Sequence, residues 1–341
     1  MSALPSPPLL ELRGLSTHYV SARGARVVRA VDDVSLSLRA GETLGIVGES
    51  GSGKSTLALT ILRLLPPAAK IIGGEIRFEG EDLLTKSDAE MRRIRGKRIA
   101  MILQDPMASL NPLFTVGDQV AEPLRVHEGL SRRNAWSRAR GLLQAVRIPA
   151  PEARVGEYPH QMSGGMRQRI VGAIAISCEP RLLIADEPTT SLDLTIQAQY
   201  LSLLSELQRA HHLAMIFITH NLGIVARMCD QVAIMYAGRI VELGPVKRIF
   251  NAPAHPYTRA LLESIPRVSG GRERLTAVEG QPPDPAALPA GCAFHPRCPQ
   301  SHARCVEDAP SDFAVGDGQI TRCWLWAPER VAPSPPSRSP A

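Results

Sequence analysis

Short apolar runs alternate with longer stretches in which apolar residues recur every three or four positions, up to about residue 262. The first pattern is typical of buried strands and the second of amphipathic helices. Four runs predict buried strands: TLGIVGE, KRIAMILQ, RLLIADE and LAMIFITH. This alternation indicates an α/β fold around a largely parallel sheet.

Two further stretches predict particular elements. IQAQYLSLLSELQRAHH has the apolar spacing of a helix, and VAIMYAGRIVELG predicts a hairpin that turns at Ala237 and Gly238. Beyond Pro266 the composition changes, and PRVSGGRERLTAVEGQPPDPAALPAG predicts a linker or an irregular extension. The final segment, APERVAPSPPSRSPA, is rich in Pro and Ser, which predicts a disordered tail.

Composition narrows the class of protein. The chain has 341 residues, of which 44% are hydrophobic, and one domain per ~150 residues suggests about two domains. No apolar run approaches the ~20 residues that a spanning helix needs, and MSALPSPPLLELRG lacks the pattern of a secretion signal. We therefore expect a cytoplasmic protein. The net charge of +6 is spread along the chain without a basic tract, so no nucleic-acid partner is expected.

The stretch GESGSGKST follows the first predicted strand and precedes a helical run. It matches GxxxxGK[ST], in which glycines let backbone N–H groups turn toward a phosphate. Lys54 is then expected to reach the terminal phosphates, and Ser55 to ligate Mg²⁺. The predicted ATP-binding residues of this loop are Gly48, Ser50, Gly51, Gly53, Lys54, Ser55 and Thr56.

RLLIADEP places two carboxylates at the end of a buried strand. Asp186 is expected to hold Mg²⁺, directly or through water. Glu187 is expected to orient and deprotonate the attacking water, a role typically worth roughly a hundred- to ten-thousand-fold in rate.

Between these motifs lies PHQMSGGMRQRIVGAIAIS, and there the chain resembles a family, the ATP-binding cassette ATPases. Alone, the Ser-Gly-Gly sequence is a common loop. It becomes specific together with the phosphate loop, Gln104 at the end of RIAMILQ, SLD at Ser191 to Asp193, and His220 after MIFIT, all in the order that the family shows.

The resemblance implies a P-loop NTPase with a RecA-like core, an antiparallel β subdomain and a helical signature subdomain. Two cassettes would pack head to tail, so that Ser163, Gly164, Gly165 and Met166 contact ATP on the other chain. The resemblance further implies that His220 binds the γ-phosphate and holds Glu187, and that Gln104 senses Mg²⁺. It also implies that Asp193 belongs to the D-loop and that Tyr19 stacks on adenine.

QDPMASLNPLFTVGDQV and NAPAHPYTRALLESIP resemble the ATPase subunits of dipeptide and oligopeptide importers, including relatives that carry nickel. The resemblance implies a cassette at 8–262, with the helical subdomain at about 105–178, and an extension at 263–326. It also implies two membrane-spanning permease subunits, an extracytoplasmic binding protein and a peripheral position on the cytoplasmic membrane face. Met166 departs from the common glutamine and suggests a heterodimer with a second cassette ATPase.

Two other classes are open. A soluble cassette ATPase acting on nucleic acid or ribosomes would suit a basic chain, but such proteins usually show a long coiled coil, a second cassette or an inserted zinc module, none of which is visible. A non-hydrolysing nucleotide switch is the other class, and the presence of Glu187 and His220 argues against it.

Four of the six cysteines lie in the tail, at Cys292, Cys298, Cys305 and Cys323, separated by five, six and seventeen residues. Zinc modules favour closer pairs, whereas four thiolates at looser spacing can hold a [4Fe–4S] cluster. Some peptide-importer ATPases with this extension carry one, so we expect an iron–sulfur cluster first, zinc second and free thiols third. His295 and His302 could ligate zinc instead. Cys178 and Cys229 are expected to be buried side chains.

Overall fold

Two sheets run through the residues that the computed structural model describes, which are 7–21, 26–190, 192–265 and 278–328. Their strands are β1 (Leu10–Val20), β2 (Val27–Leu38), β3 (Thr43–Val47), β4 (Ala69–Phe78), β5 (Glu81–Asp82), β6 (Ile99–Ile102), β7 (Leu182–Asp186), β8 (Ala214–Ile218), β9 (Gln231–Tyr236), β10 (Arg239–Pro245), β11 (Phe313–Gly316) and β12 (Gln319–Thr321). The smaller sheet is antiparallel in the order β2-β1-β4-β5, and the larger has the order β11-β12-β10-β9-β3-β8-β7-β6.

The helices pack on these sheets or connect their strands. They are α1 (Lys54–Ile61), α2 (Asp88–Ile94), α3 (Pro106–Ser109), α4 (Val116–Glu128), α5 (Arg132–Ala145), α6 (Pro151–Arg154), α7 (Gly164–Ile176), α8 (Leu194–His211), α9 (Leu222–Met228), α10 (Val246–Asn251), α11 (Pro256–Glu263) and α12 (Ala303–Glu307). Helices α3 to α7 lie between β6 and β7 in the sequence and pack on one another through an apolar core. In the described residues, no helix is long and apolar enough to cross a membrane.

The parallel centre of the larger sheet confirms the four predicted strands. Strand β3 lies between β8 and β9, and β7 lies between β6 and β8, all in parallel register. Every residue of β3, β7 and β8 is buried, which explains their continuous apolar runs. Because the carboxyl ends of parallel strands meet at one edge, the segments that follow β3, β6, β7 and β8 are brought together there.

The predicted helix and hairpin are also present. The helix IQAQYLSLLSELQRAHH lies within α8 and its C-cap. Strands β9 and β10 pair antiparallel around Ala237 and Gly238, whose φ angles are 47° and 84°. Two consecutive positive φ angles form the kind of tight turn that matches the twist of a hairpin.

The C-terminal extension is more regular than the sequence predicts. Strand β12 pairs antiparallel with β10 and with β11, so the extension adds two strands to the edge of the larger sheet. The buried Glu242 joins the two parts, because its carboxylate accepts hydrogen bonds from the Ala254 and His255 amides and from Gln319 Nε2. The predicted domain boundary at 262/263 falls in the last turn of α11.

Some sequence predictions fall outside the described residues. These are the first part of the linker, residues 266–277, the tail from residue 329 onward, and Ser191 of the SLD sequence.

Candidate active site

The phosphate loop runs from the end of β3 to the start of α1, as the sequence predicts. Two glycines allow close approaches of the backbone: a Cβ atom on Gly48 would lie 2.1 Å from the Met235 carbonyl oxygen, and one on Gly53 would lie 1.9 Å from that of Ala30. Gly53 also has a φ angle of 104° at the N-cap of α1. Larger residues could not take these positions without moving the backbone.

Lys54 is buried at the start of α1, and its Nζ donates to the carbonyl oxygens of Gly48 (2.8 Å) and Glu49 (2.9 Å). Burial lowers the pKa of Lys54, while the negative charges of Glu187, Asp186 and Glu49 oppose that change. An ammonium group removed from water inside its own loop is suited to bind an anion there.

Asp186 ends β7 and is also buried. Burial raises the pKa of Asp186, and the Ser55 hydroxyl and the Lys54 charge oppose this rise. Its Oδ1 atom accepts no hydrogen bond from any described residue. A buried oxygen without a partner is costly, and a cation beside it would remove that cost. Asp186 and Ser55 therefore fit a Mg²⁺ site chemically.

Glu187 lies at the centre of a hydrogen-bonded group formed by the ends of three strands. Its Oε2 accepts from Gln104 Nε2 (3.1 Å) and Thr190 Oγ1 (3.0 Å), and its Oε1 lies 3.2 Å from His220 Nδ1. The backbone at Glu187 has a φ of 46° and its amide donates to the Ile218 carbonyl oxygen. A non-glycine residue in this conformation is strained by about 1–3 kcal/mol, so the surrounding structure holds the carboxylate in one place.

The side chain of Tyr19 lies beside the start of α1 and is not isolated on the surface of its strand. Its hydroxyl is 3.4 Å from Thr56 Oγ1, so it borders the phosphate loop. Together, Tyr19, the loop, Gln104, Asp186, Glu187 and His220 occupy one region.

The signature residues are elsewhere. Ser163 caps α7 by accepting from the Met166 amide, and both Ser163 and Gly164 are exposed. Gly165 faces α8, since a Cβ atom there would lie 2.7 Å from Ile196 Cγ2. Asp193 caps α8 by accepting from the Thr195 and Ile196 amides, both at 3.0 Å. Ser163 and Gly164 therefore face outward from their own chain, whereas Gly165 and Met166 are half-buried.

Sequence reasoning missed several residues of the site. Thr190 lies three residues after Glu187 and has no recognisable motif. Arg297 of the extension pairs with Glu49 of the phosphate loop at 2.8 Å, and Tyr257 Oη accepts from the Glu49 amide at 3.0 Å. Arg297 and Glu49 are 248 positions apart in the sequence, which leaves no local signal for this pair.

The six cysteines form no disulfide. Burial, with the charges of Cys292, Cys298 and Cys305 adding, raises the pKa of Cys323 to about 11, so these four thiols lie in one region. His295 Nδ1 contacts the Cys292 carbonyl oxygen at 3.0 Å. Among the described residues, no group of three or more His, Cys, Asp or Glu side chains is arranged to hold a metal ion. Cys178 is buried and Cys229 partly so, which agrees with their predicted role as small apolar side chains.

Solved structures with a similar fold are ATP-binding cassettes. One is the dimeric post-hydrolysis state of the cassette MJ0796 bound to ADP and Pi, with a TM-score of 0.63 and 26% identity, covering 70% of this chain and 98% of that one. Another is cbiO1 from Clostridium perfringens, part of the transporter complex cbiONQ, with a TM-score of 0.60 and 27% identity, covering 72% of this chain and 91% of that one.

Sequence comparisons match two family models, "ABC transporter" over residues 31–190 and "Oligopeptide/dipeptide transporter, C-terminal region" over residues 241–305. The oligopeptide transport ATP-binding protein OppD of Haemophilus influenzae is 47% identical over 94% of this chain and 98% of its own length. A probable peptide ABC transporter ATP-binding protein, y4tR of Sinorhizobium fredii, is 50% identical over 93% of this chain and 94% of its own length. The chain belongs to the ATP-binding cassette family, in the branch of the peptide-import ATP-binding proteins.

Proposed function

We propose that this chain is the ATP-hydrolysing subunit of a transporter that imports di- or oligopeptides. The proposal that the chain hydrolyses ATP rests on the placement of Glu187. Its carboxylate is bound by Gln104, Thr190 and His220 beside the phosphate loop. The peptide part is supported by the similarity to peptide-import proteins along more than nine-tenths of the chain.

Each residue has a distinct role in this proposal. Lys54 and the amides of the phosphate loop bind the phosphates, and Tyr19 stacks on the adenine. Asp186, Ser55 and Gln104 hold Mg²⁺, which neutralises developing charge on the transferred phosphoryl group. Glu187 accepts a proton from the attacking water, and His220 keeps the carboxylate in line.

The proposed assembly is supported by the exposure of Ser163 and Gly164. Ser163, Gly164, Gly165 and Met166 complete the ATP site of a second cassette, which we expect to be a different chain, and Asp193 lies in the same interface. The cassette at 8–262, with its helical part at about 105–178, binds two permease subunits at the cytoplasmic membrane face, fed by an extracytoplasmic binding protein. The extension occupies 263–326.

Tagging the chain in its native host and identifying what co-purifies from gently solubilised membranes tests this assembly. We expect two multi-spanning subunits, a second cassette ATPase and ATP hydrolysis by the complex. Recovery with nucleic acid or ribosomes from the soluble fraction would overturn the transport function while leaving the ATPase chemistry. Solute uptake by the reconstituted complex, with peptides and Ni²⁺ compared, distinguishes peptide from nickel import.

We also propose a metal centre at Cys292, Cys298, Cys305 and Cys323, a [4Fe–4S] cluster with Zn²⁺ as the alternative. Its support is that the four thiols lie within electrostatic reach of one another. Because they do not form a ready ligand set, binding requires the thiols to close around the metal. Purification without oxygen, followed by iron, sulfide and zinc analysis, tests the proposal, and the absence of stoichiometric metal refutes it.

A further inference from the structure

A partly buried ion pair joins the extension to the phosphate loop. Arg297 Nη1 and Nη2 donate to the two carboxylate oxygens of Glu49 at 2.8 and 3.0 Å. The Arg297 side chain is 5% exposed and that of Glu49 is 24% exposed. A two-pronged pair of this kind fixes orientation as well as charge.

Arg297 is itself held rigidly by the extension and by the larger sheet. Its Nε donates to the Glu279 carbonyl oxygen at 2.8 Å, and its Nη2 donates to that of Val278 at 3.2 Å. The guanidinium also lies 5.8 Å from the ring centre of Tyr236 and 5.9 Å from that of Phe294. A side chain restrained on every side can position its partner accurately.

Glu49 of the phosphate loop is held at its amide, its carbonyl oxygen and its carboxylate. Its amide donates to Tyr257 Oη, its carbonyl oxygen accepts from Lys54 Nζ, and its carboxylate binds Arg297. The carboxylate is near enough to Lys54 for its charge to affect the lysine. An unpaired Glu49 would therefore place a negative charge where the loop must receive a polyphosphate.

We propose that Arg297 is a positioning residue of the ATP site, which pairs with the Glu49 carboxylate and so neutralises that charge beside the phosphates of the nucleotide. This inference rests on the proposed ATPase function and assigns the extension a part in nucleotide binding. Arg297 acts through Glu49, so it is a positioning and not a catalytic residue.

The test is nucleotide binding to the purified full-length chain by titration calorimetry with MgATP, MgADP and adenosine. We expect Arg297→Gln to bind MgATP about tenfold more weakly, the order expected for one unpaired charge near a polyphosphate. The loss should be smaller for MgADP and absent for adenosine, because the repulsion acts on the phosphates. A loss caused by a distorted fold would affect all three ligands.

The double variant Arg297→Gln/Glu49→Gln distinguishes two explanations. Arg297 either neutralises the charge of Glu49 or only holds the phosphate loop in place. Removing the carboxylate removes the repulsion, so we expect MgATP affinity within about threefold of the unmodified chain, a small change on this scale. A double variant as weak as Arg297→Gln, or an Arg297→Gln chain with normal MgATP affinity, would refute the proposal. If Arg297→Gln does not fold, Arg297→Met replaces it, with the same loss of about tenfold expected and normal MgATP affinity refuting the proposal.

Arg322→Gln is the matched control. Arg322 is a similarly buried arginine of the extension, 10% exposed, but it pairs with Asp312 and Asp33 and not with the phosphate loop. It should lose stability without a selective loss of MgATP affinity. Failure of the unmodified chain to bind MgATP would refute the ATPase function itself, a result distinct from failure of the Arg297 proposal.

Discussion

The carboxylate of Glu187 is placed by three side chains, so its chemistry can be tested with little structural change. Glu187→Gln keeps the side chain's size and its ability to accept from Gln104 and Thr190, but it cannot take a proton. We expect MgATP binding to be kept and hydrolysis by the assembled transporter to fall by roughly a hundred- to ten-thousand-fold. Paired binding and phosphate-release assays measure this, and normal turnover would refute the general-base role.

A second residue, His255, makes stability depend on pH. It is buried at the start of α11, and burial, with the charge of Arg259 adding, lowers the pKa of His255 to about 3. Between pH 3 and 6.5 the unfolded chain therefore binds one more proton than the folded chain. Folding stability from His255 is complete above pH 6.5 and is lost as pH falls, by about 1.4 kcal/mol per pH unit.

The matched variant for this prediction is His255→Asn. His255 Nδ1 accepts from the Tyr257 amide at the N-cap of α11, and asparagine can supply the same acceptor without titrating. Denaturant unfolding at several pH values between 5 and 7 should show a smaller loss of free energy at low pH in this variant. Equal slopes in both proteins would contradict the assignment to His255.

At the scale of elements, Asp193 begins the longest described helix, α8 (18 residues). Its carboxylate accepts from two amides that have no helical partner of their own. Asp193→Ala should lower the free energy of unfolding by about 1 kcal/mol, the usual value of such a cap. Asp193→Asn should keep most of this free energy, because asparagine can also accept from the two amides. Chemical denaturation of both variants measures the difference. An alanine variant as stable as the asparagine one would show that the cap contributes nothing.

The elements also show what sequence patterns can predict. The phosphate loop, Asp186, Glu187 and the buried strands were found because each is defined by neighbours in sequence, and the parallel sheet then brings them together. The pairing of β12 with β10 and the contact of Arg297 with Glu49 were not found. Both join segments far apart in the chain, and nothing in "GCAFHPRC" indicates what its arginine contacts.

At the scale of the whole molecule, the exposure of Ser163 and Gly164 makes it possible to test whether hydrolysis depends on a second cassette. A Cβ atom on Gly164 would have no neighbour within 4 Å, so Gly164→Arg should leave the fold and MgATP binding by the single chain unchanged. In the complex, the bulky side chain would enter the partner's ATP site, and we expect at least a tenfold loss of hydrolysis, about 1.4 kcal/mol in the barrier.

Gly141→Arg is the control for this variant. Gly141 lies on α5 and likewise has open space around its Cβ position, but it is not part of the signature. Phosphate release from the purified complex should be nearly normal in this control. Equal activity of the Gly164→Arg and control complexes would contradict a role of the signature in trans.

The long separation between Glu49 and Arg297 has a consequence for biosynthesis. Ribosomes add about 5–20 residues per second, so the arginine that pairs with Glu49, 248 positions later in the sequence, is made roughly 12 to 50 s after it. During that time β12 has not been made, so the edge of β10 that pairs with it is open. An open strand edge can pair with strands of other chains. A chain whose synthesis stops before the extension therefore lacks both the partner of its phosphate loop and the cover of its sheet, although every nucleotide motif has already been made.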